Sequence, residues 1–145
     1  MIRDVHIYFH KLDKIAHVFI NDKLKDTELS RGLFFYLLEL SHQDGLSLNE
    51  LSRAIFINKA YTTRAVVRLD ELGYVTRQLD ASDHRVTKIY LTDRGRAAAQ
   101  QINDIFLEWR DLISAGVSQA ESEAVLDISR KLYNNAFRYY SEHEV

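Results

Sequence analysis

Thr63, Arg64 and Arg68 share one short segment, and Arg85 follows with Asp83 two residues before it. These are the residue types that hold nucleic acid. A guanidinium grips a phosphate or pairs with a guanine edge through two parallel N–H donors, and a Thr hydroxyl reaches a phosphate oxygen. Small Ala60 permits close backbone approach, and Val67 is an apolar contact for a thymine methyl. Arg85 suits the negative potential of a narrow minor groove, with Asp83 orienting its guanidinium through a charge-assisted bond. Ser47, Lys59 and Tyr61 complete the set of expected DNA contacts.

Such contacts need rigid elements behind them. Ser47 with Glu50 forms an S-x-x-E capping box, flanked by Leu46 and Leu51 at the spacing of a hydrophobic staple, so a short helix begins there. Phe56 and Ile57 make a turn, Asn58 caps a second helix over 59–72, and Gly73 ends it. At about 100° per residue, Thr62, Ala65, Val66, Leu69 and Leu72 form the buried face of that helix. Ala60, Arg64, Val67 and Glu71 point outward, with Thr63 and Arg68 on the flanks. Residues 75–79 and 86–91 are β-branched and aromatic enough for two strands around a polar tip, 80–85. Helix, turn, helix and hairpin together predict a winged helix-turn-helix over 46–95. By itself the second helix also reads as an ordinary solvated amphipathic helix.

The order of these residues resembles the MarR family of bacterial transcriptional regulators. The resemblance rests on Gly45-Leu46-Ser47-Leu48-Asn49-Glu50-Leu51, Thr63-Arg64 and Leu69-x-x-Leu72-Gly73-Tyr74-Val75. It continues through Arg77, Asp80-x-x-Asp83-x-Arg85 and Leu91-Thr92-x-x-Gly95. It implies a homodimer that reads a pseudo-palindromic operator in double-stranded DNA, acts as a repressor or an activator, with repressor the expected sign, and is released by a small effector. The chain departs from the family pattern at Ser82, where the wing usually carries Arg, and at Ala60 and Tyr61, where Ser or Thr is common.

The flanks explain the expected dimer. Near the N-terminus, over about 3–22, Val5, Tyr8, Phe9, Leu12, Ile15, Ala16 and Phe19 form an apolar stripe at helical spacing. Val125, Ile128, Leu132, Ala136 and Tyr140 form another, widened by Leu126, Tyr133 and Phe137. Between them, residues 93–114 read as a long helix capped by Thr92, with Ala98, Ile102, Ile105, Phe106, Trp109, Leu112 and Ile113 inward. The expectation is a single domain over 1–145, mainly α with a small β-hairpin wing (α+β), with 1–25 and 96–145 as dimerisation helices. The two recognition helices then meet successive major grooves only when their spacing matches about 34 Å. Phe34, Phe35, Tyr36, Phe106 and Trp109 are candidates for a pocket taking an aromatic or phenolic effector, though such rings equally make plain core.

The net charge of −2 is distributed unevenly: residues 46–95 hold eight basic and six acidic residues, and both flanks are acidic on balance. The slight positive excess falls on the segment expected to meet phosphate. With no cysteine, thiol redox switching and Cys zinc sites are excluded. Charges throughout the first fifteen residues argue against a signal peptide or membrane span, which places the expected protein in the cytoplasm. His6, His10, Asp13 and His17 lie within about 60° on one helix face, a spacing a metal can use, but solvated histidines are the commoner case and no metal or other cofactor is expected. No phosphate loop, nucleophile elbow or His/Cys pair argues for an enzyme. The rival reading is a winged-helix module that binds protein instead of DNA.

Overall fold

The computed structural model describes the backbone of residues 2–142 and the side chains of 4–142. The outermost ends of the expected dimerisation helices, Met1 and residues 143–145, lie outside the described residues. Among the described residues nine elements follow in order: α1 (Ile2–Lys23), α2 (Leu33–His42), β1 (Leu46–Ser47), α3 (Leu48–Ala54), α4 (Lys59–Glu71), β2 (Val75–Leu79), β3 (Thr87–Leu91), α5 (Asp93–Ile113) and α6 (Gln119–Glu142). Two compact units are distinguished, Met1–Trp109 and Arg110–Val145.

Local chemistry starts α3 and α4 of the first unit. Ser47 Oγ accepts from the Glu50 backbone N–H at 3.2 Å, and Glu50 Oε2 accepts from the Ser47 N–H at 2.7 Å, a closed capping box. The turn after α3 passes through Phe56 at φ 55°, and the Ile57 N–H returns to the Ser52 carbonyl. Asn58 Oδ1 then accepts from the Tyr61 N–H at 3.0 Å and opens α4. Leu72 is the C-cap, and Gly73 turns the chain at φ 77°, a conformation glycine adopts without a Cβ penalty.

The sheet is larger than the expected hairpin. β3 pairs antiparallel with β2, from Val75 opposite Leu91 to Leu79 opposite Thr87, and also with β1, where Leu46 lies opposite Ile89. The third strand is only two residues long, too short to leave a periodic signal. The second hairpin strand starts at Thr87, one residue later than expected, because the Val86 N–H bonds to the Asp83 carbonyl inside the turn. Of β2 only Val75 is buried, so the hairpin projects from the lobe.

The core gathers Ile20 from α1, Leu24 just past its end, Phe34, Leu37 and Leu40 from α2, Leu51, Val66, Leu69, Ile89 and Ile102. The short apolar helix α2, unassigned in the sequence reading, supplies three of these and underlies the whole lobe. On α4 the expected inner face holds: Thr62, Val66 and Leu69 are buried and Ala65 and Leu72 partly so, while Val67, expected outward, is half-buried. Along the first two thirds of α1, Val5, Tyr8, Phe9, Leu12 and Ile15 remain exposed. On α5, Ala98, Ile102 and Trp109 are buried, but Leu112 and Ile113, expected inward, are exposed.

In the second unit, α6 starts with another reciprocal box: Glu121 Oε2 accepts from the Ser118 N–H at 2.8 Å, and the Glu121 N–H donates to Ser118 Oγ at 3.3 Å. Its apolar positions Val125, Leu126, Ile128, Leu132, Tyr133 and Phe137 are exposed. Among the described residues no helix is long and apolar enough to cross a membrane.

Two stability predictions follow from these contacts. A Cβ at Gly95 would overlap the Tyr74 carbonyl oxygen, which is main chain and cannot swing aside. Gly95→Ala should therefore lose about 1–3 kcal/mol or more, as overpacked sites do, measured by urea unfolding. The Ser47 backbone N–H and then its hydroxyl hold the Glu50 carboxyl below its ordinary pKa, with Lys88 adding to the effect. Because folding lowers this pKa, the stabilisation is complete above the unfolded-state value and is lost as pH falls through the folded one. Glu50→Gln should reduce the acid-side decline of the unfolding free energy below about pH 4.5 while lowering stability at neutral pH.

Candidate nucleic-acid interface

The outward side of α4 carries Lys59, Ala60, Tyr61, Thr63, Arg64 and Arg68, all exposed. Thr63 Oγ1 donates to the Lys59 carbonyl at 2.8 Å, which leaves its oxygen lone pairs facing out as acceptors. Arg64 lies over the Tyr61 ring, its guanidinium carbon 4.4 Å from the centroid. That contact holds the cation without neutralising it. Arg68 differs, because its Nη2 donates to Glu28 at 3.2 Å and its Nη1 to Glu71 at 3.4 Å. Thr62 points the other way, fully buried, with Oγ1 donating to the Asn58 carbonyl. It also bonds the Tyr36 phenol, whose pKa burial raises and that bond partly restrains.

The wing tip is built from carboxylates. Asp80 Oδ1 accepts from the backbone N–H groups of Ser82 at 2.8 Å and Asp83 at 3.0 Å and from the Ser82 hydroxyl. The Ser82 hydroxyl bond and then the two backbone donors lower the Asp80 pKa and keep it ionised in this turn. Asp83 Oδ1 accepts from Arg85 Nε at 3.1 Å and from the Arg85 backbone N–H at 3.0 Å. This is the Asp83 to Arg85 bond expected from the sequence, on a side chain that is 91% exposed. Ser82, where the family pattern has Arg, is thus a turn-forming residue here.

Two cavities collect the expected residues. Ser47, Lys59 and Arg85 line one of about 170 Å³ together with Leu48, Asn49, Val86 and Thr87, so the start of α3, the start of α4 and the wing share a concavity. Tyr61, Arg64 and Arg68 line another of about 380 Å³ with Arg31, Leu33, Tyr36, Ile57 and Ala65. Of the five rings proposed for an effector pocket, Tyr36 alone lines one of the cavities described. Phe34 packs on Phe35 at 4.2 Å and near Phe106 at 6.3 Å, and Trp109 packs on Phe19 at 5.4 Å. Fully buried Phe34 acts as core.

The histidines of α1 do not converge. His17 Nε2 lies 3.7 Å from Asp13 and its ring packs on Phe35 at 5.1 Å, while His6 and His10 are exposed. Among the described residues no group of three or more His, Cys, Asp or Glu gathers to hold a metal ion. The pairing of Arg68 with Glu28 was missed by sequence reasoning, since 40 positions separate them. The Glu71 partner, three residues along a helix, is visible from spacing alone.

Comparison with known proteins bears on the family and the fold. The sequence profile of the MarR family matches residues 29–86. The HTH-type transcriptional regulator BilQ of Clostridioides difficile (strain CD3) is 32% identical over 110 residues, covering 76% of this chain and 74% of that protein. Among solved structures, the transcriptional regulator SlyA superposes with a TM-score of 0.88 at 22% identity, covering 95% of this chain and 97% of its own. A MarR protein from Peptoclostridium difficile DA00132 gives 0.89 at 22% identity, covering 96% and 91%. Both structures share the fold of six helices and a small antiparallel sheet. BilQ and SlyA are transcriptional regulators.

The wing turn gives a local prediction. Asp80→Ala removes three acceptor contacts within the turn, so amide exchange at Ser82 and Asp83 should accelerate. Global stability should stay within about 0.5 kcal/mol, as for most surface changes, in a hydrogen-exchange and denaturation comparison.

Proposed function

The chain belongs to the MarR family of transcriptional regulators, and on that footing we propose that it binds a pseudo-palindromic DNA operator as a homodimer and acts as a repressor in the cytoplasm. The observation that carries the reading is the uncovered outer face of α4. Ala60, Thr63 and Arg64 stand exposed there on a helix capped by Asn58, and Arg85 stands exposed at the tip of the wing in the same lobe. A recognition helix in the major groove and an Arg in the flanking minor groove use this arrangement directly. Residues 46–95 are the reading lobe, contacting DNA through Ser47, Lys59, Ala60, Tyr61, Thr63, Arg64, Val67, Arg68 and Arg85, with Asp83 orienting Arg85.

Residues 1–25 and 96–145 supply the dimer contacts in this reading. Its support is the row of exposed apolar side chains on α1 and, separately, that on α6, the kind of surface that marks a protein–protein contact. An effector of aromatic or phenolic character fits the cavity beside Tyr36, where Tyr61 offers a ring and Arg31, Arg64 and Arg68 offer guanidiniums. Occupancy there would compete with DNA for Arg64.

Operator selection from random duplex DNA, followed by titration across salt, tests the reading. Affinity should fall with a log-log slope of about −0.9 per phosphate contact. Flat, negligible binding at low salt would instead favour a protein-binding winged helix. Arg64→Ala should weaken the selected site by about 1–3 kcal/mol if the guanidinium pairs with a base. Uniform weakening on all sequences would identify it as a phosphate contact. Arg85→Ala should cost most on sites with A/T-rich flanks; equal losses on G/C-rich flanks would count against minor-groove insertion.

A further inference from the structure

Arg64 and Arg68 stand one helical turn apart on the same side of α4, yet their surroundings differ in charge. Arg64 rests on a neutral ring. Arg68 is shared by two carboxylates, Glu28 at 3.2 Å and Glu71 at 3.4 Å, so a phosphate approaching it meets a cluster of net charge −1. Glu71 belongs to the same helix and follows wherever it goes. Glu28 comes from the loop between α1 and α2, and that loop is pinned on both sides of it. Thr27 Oγ1 donates to the Leu24 carbonyl at 2.8 Å and accepts from the Leu29 N–H at 3.2 Å, while Leu29 is buried at 3% exposure. The carboxylate is therefore presented to α4 from a fixed point in the fold.

We infer that Glu28 is a specificity-determining residue that withholds Arg68 from the phosphates of non-cognate DNA. This rests on the DNA-binding reading above. A phosphate offers Arg68 an anion in place of carboxylates already bonded, so a backbone contact alone gains little. A cognate site that also presents a guanine edge in the right register adds acceptors that a non-cognate site lacks, and release from Glu28 is favoured there. Glu28 thus acts through Arg68 without touching DNA. All three side chains are about half exposed, so the pair contributes little to folding, and its effect falls on binding.

The test uses the full chain, a random-sequence duplex and a duplex selected by the wild type, with affinities measured by fluorescence anisotropy from low to moderate salt. Glu28→Gln should tighten binding to the random duplex about two- to fivefold at low salt. It should also steepen the salt slope by about 0.9 per protomer, one added phosphate contact. The selected duplex should gain less, so discrimination falls. In an Arg68→Ala background the same change should have no effect. Asp26→Asn, which removes an equal charge two residues away, should leave the slope unaltered. Thermal unfolding of Glu28→Gln should match the wild type. An unchanged slope, a gain that persists without Arg68, or an equal gain from Asp26→Asn would each overturn the role of Glu28 while leaving DNA binding intact. Failure of the wild type to bind either duplex would overturn the DNA-binding reading and this inference together.

Discussion

One carbonyl oxygen, that of Tyr74, ties the end of α4 to the wing. It accepts from the Thr92 backbone N–H at 3.0 Å and lies 3.1 Å from the Thr92 hydroxyl, which also reaches the Gly73 carbonyl at 2.7 Å. Thr92 Oγ1 in turn accepts from the Gly95 N–H at 3.0 Å and caps α5. The end of α4, the root of β2, the end of β3 and the first turn of α5 therefore meet at one node. Only a residue without a Cβ fits at 95, because the Tyr74 carbonyl occupies that space. From the other side, Asp44 accepts from the Leu91 N–H at 2.9 Å and pairs with Arg96 at 3.4 Å. With both flanks of β3 held, the angle between the exposed face of α4 and the wing tip is a property of the backbone, and the side chains on each are aimed by it.

Charge on this frame is mostly spoken for. Arg77 pairs with Asp70 at 2.7 Å, Lys88 with Glu50 at 3.3 Å, Arg85 with Asp83, and Arg68 with two glutamates. Exposed pairs of this kind add little to stability. They do cancel the long-range field that a basic protein would use to draw in DNA, in keeping with the small positive excess of the lobe. In the proposed reading, affinity comes from guanidiniums aimed at particular atoms. The contrast between Arg64 on a ring and Arg68 between carboxylates is a difference in availability, which composition and net charge do not reveal.

What could be read in advance was local. The Ser47 to Glu50 box, the Asn58 cap, the Gly73 stop, the Asp83 to Arg85 bond and the strand over 75–79 each depend on residues within a few positions of one another, so spacing is enough to find them. The third strand escaped because two residues carry no periodicity, and α2 because a short run of apolar residues does not distinguish buried helix from strand. Phe34 and Trp109 show the ambiguity of aromatic stripes: the same spacing serves a pocket wall or a core, and only the neighbours decide. Val67, Leu112 and Ile113 were misplaced because a helical wheel knows the face of a helix but not how far its neighbours extend. The sequence by itself determined α3, α4, the hairpin, their caps and the family, since these follow from hydrogen bonds and side-chain periodicity along the chain. Tertiary structure alone decided which of those side chains are free to act, because Glu28 reaches Arg68 and Tyr74 meets Gly95 only after segments far apart in sequence have packed together.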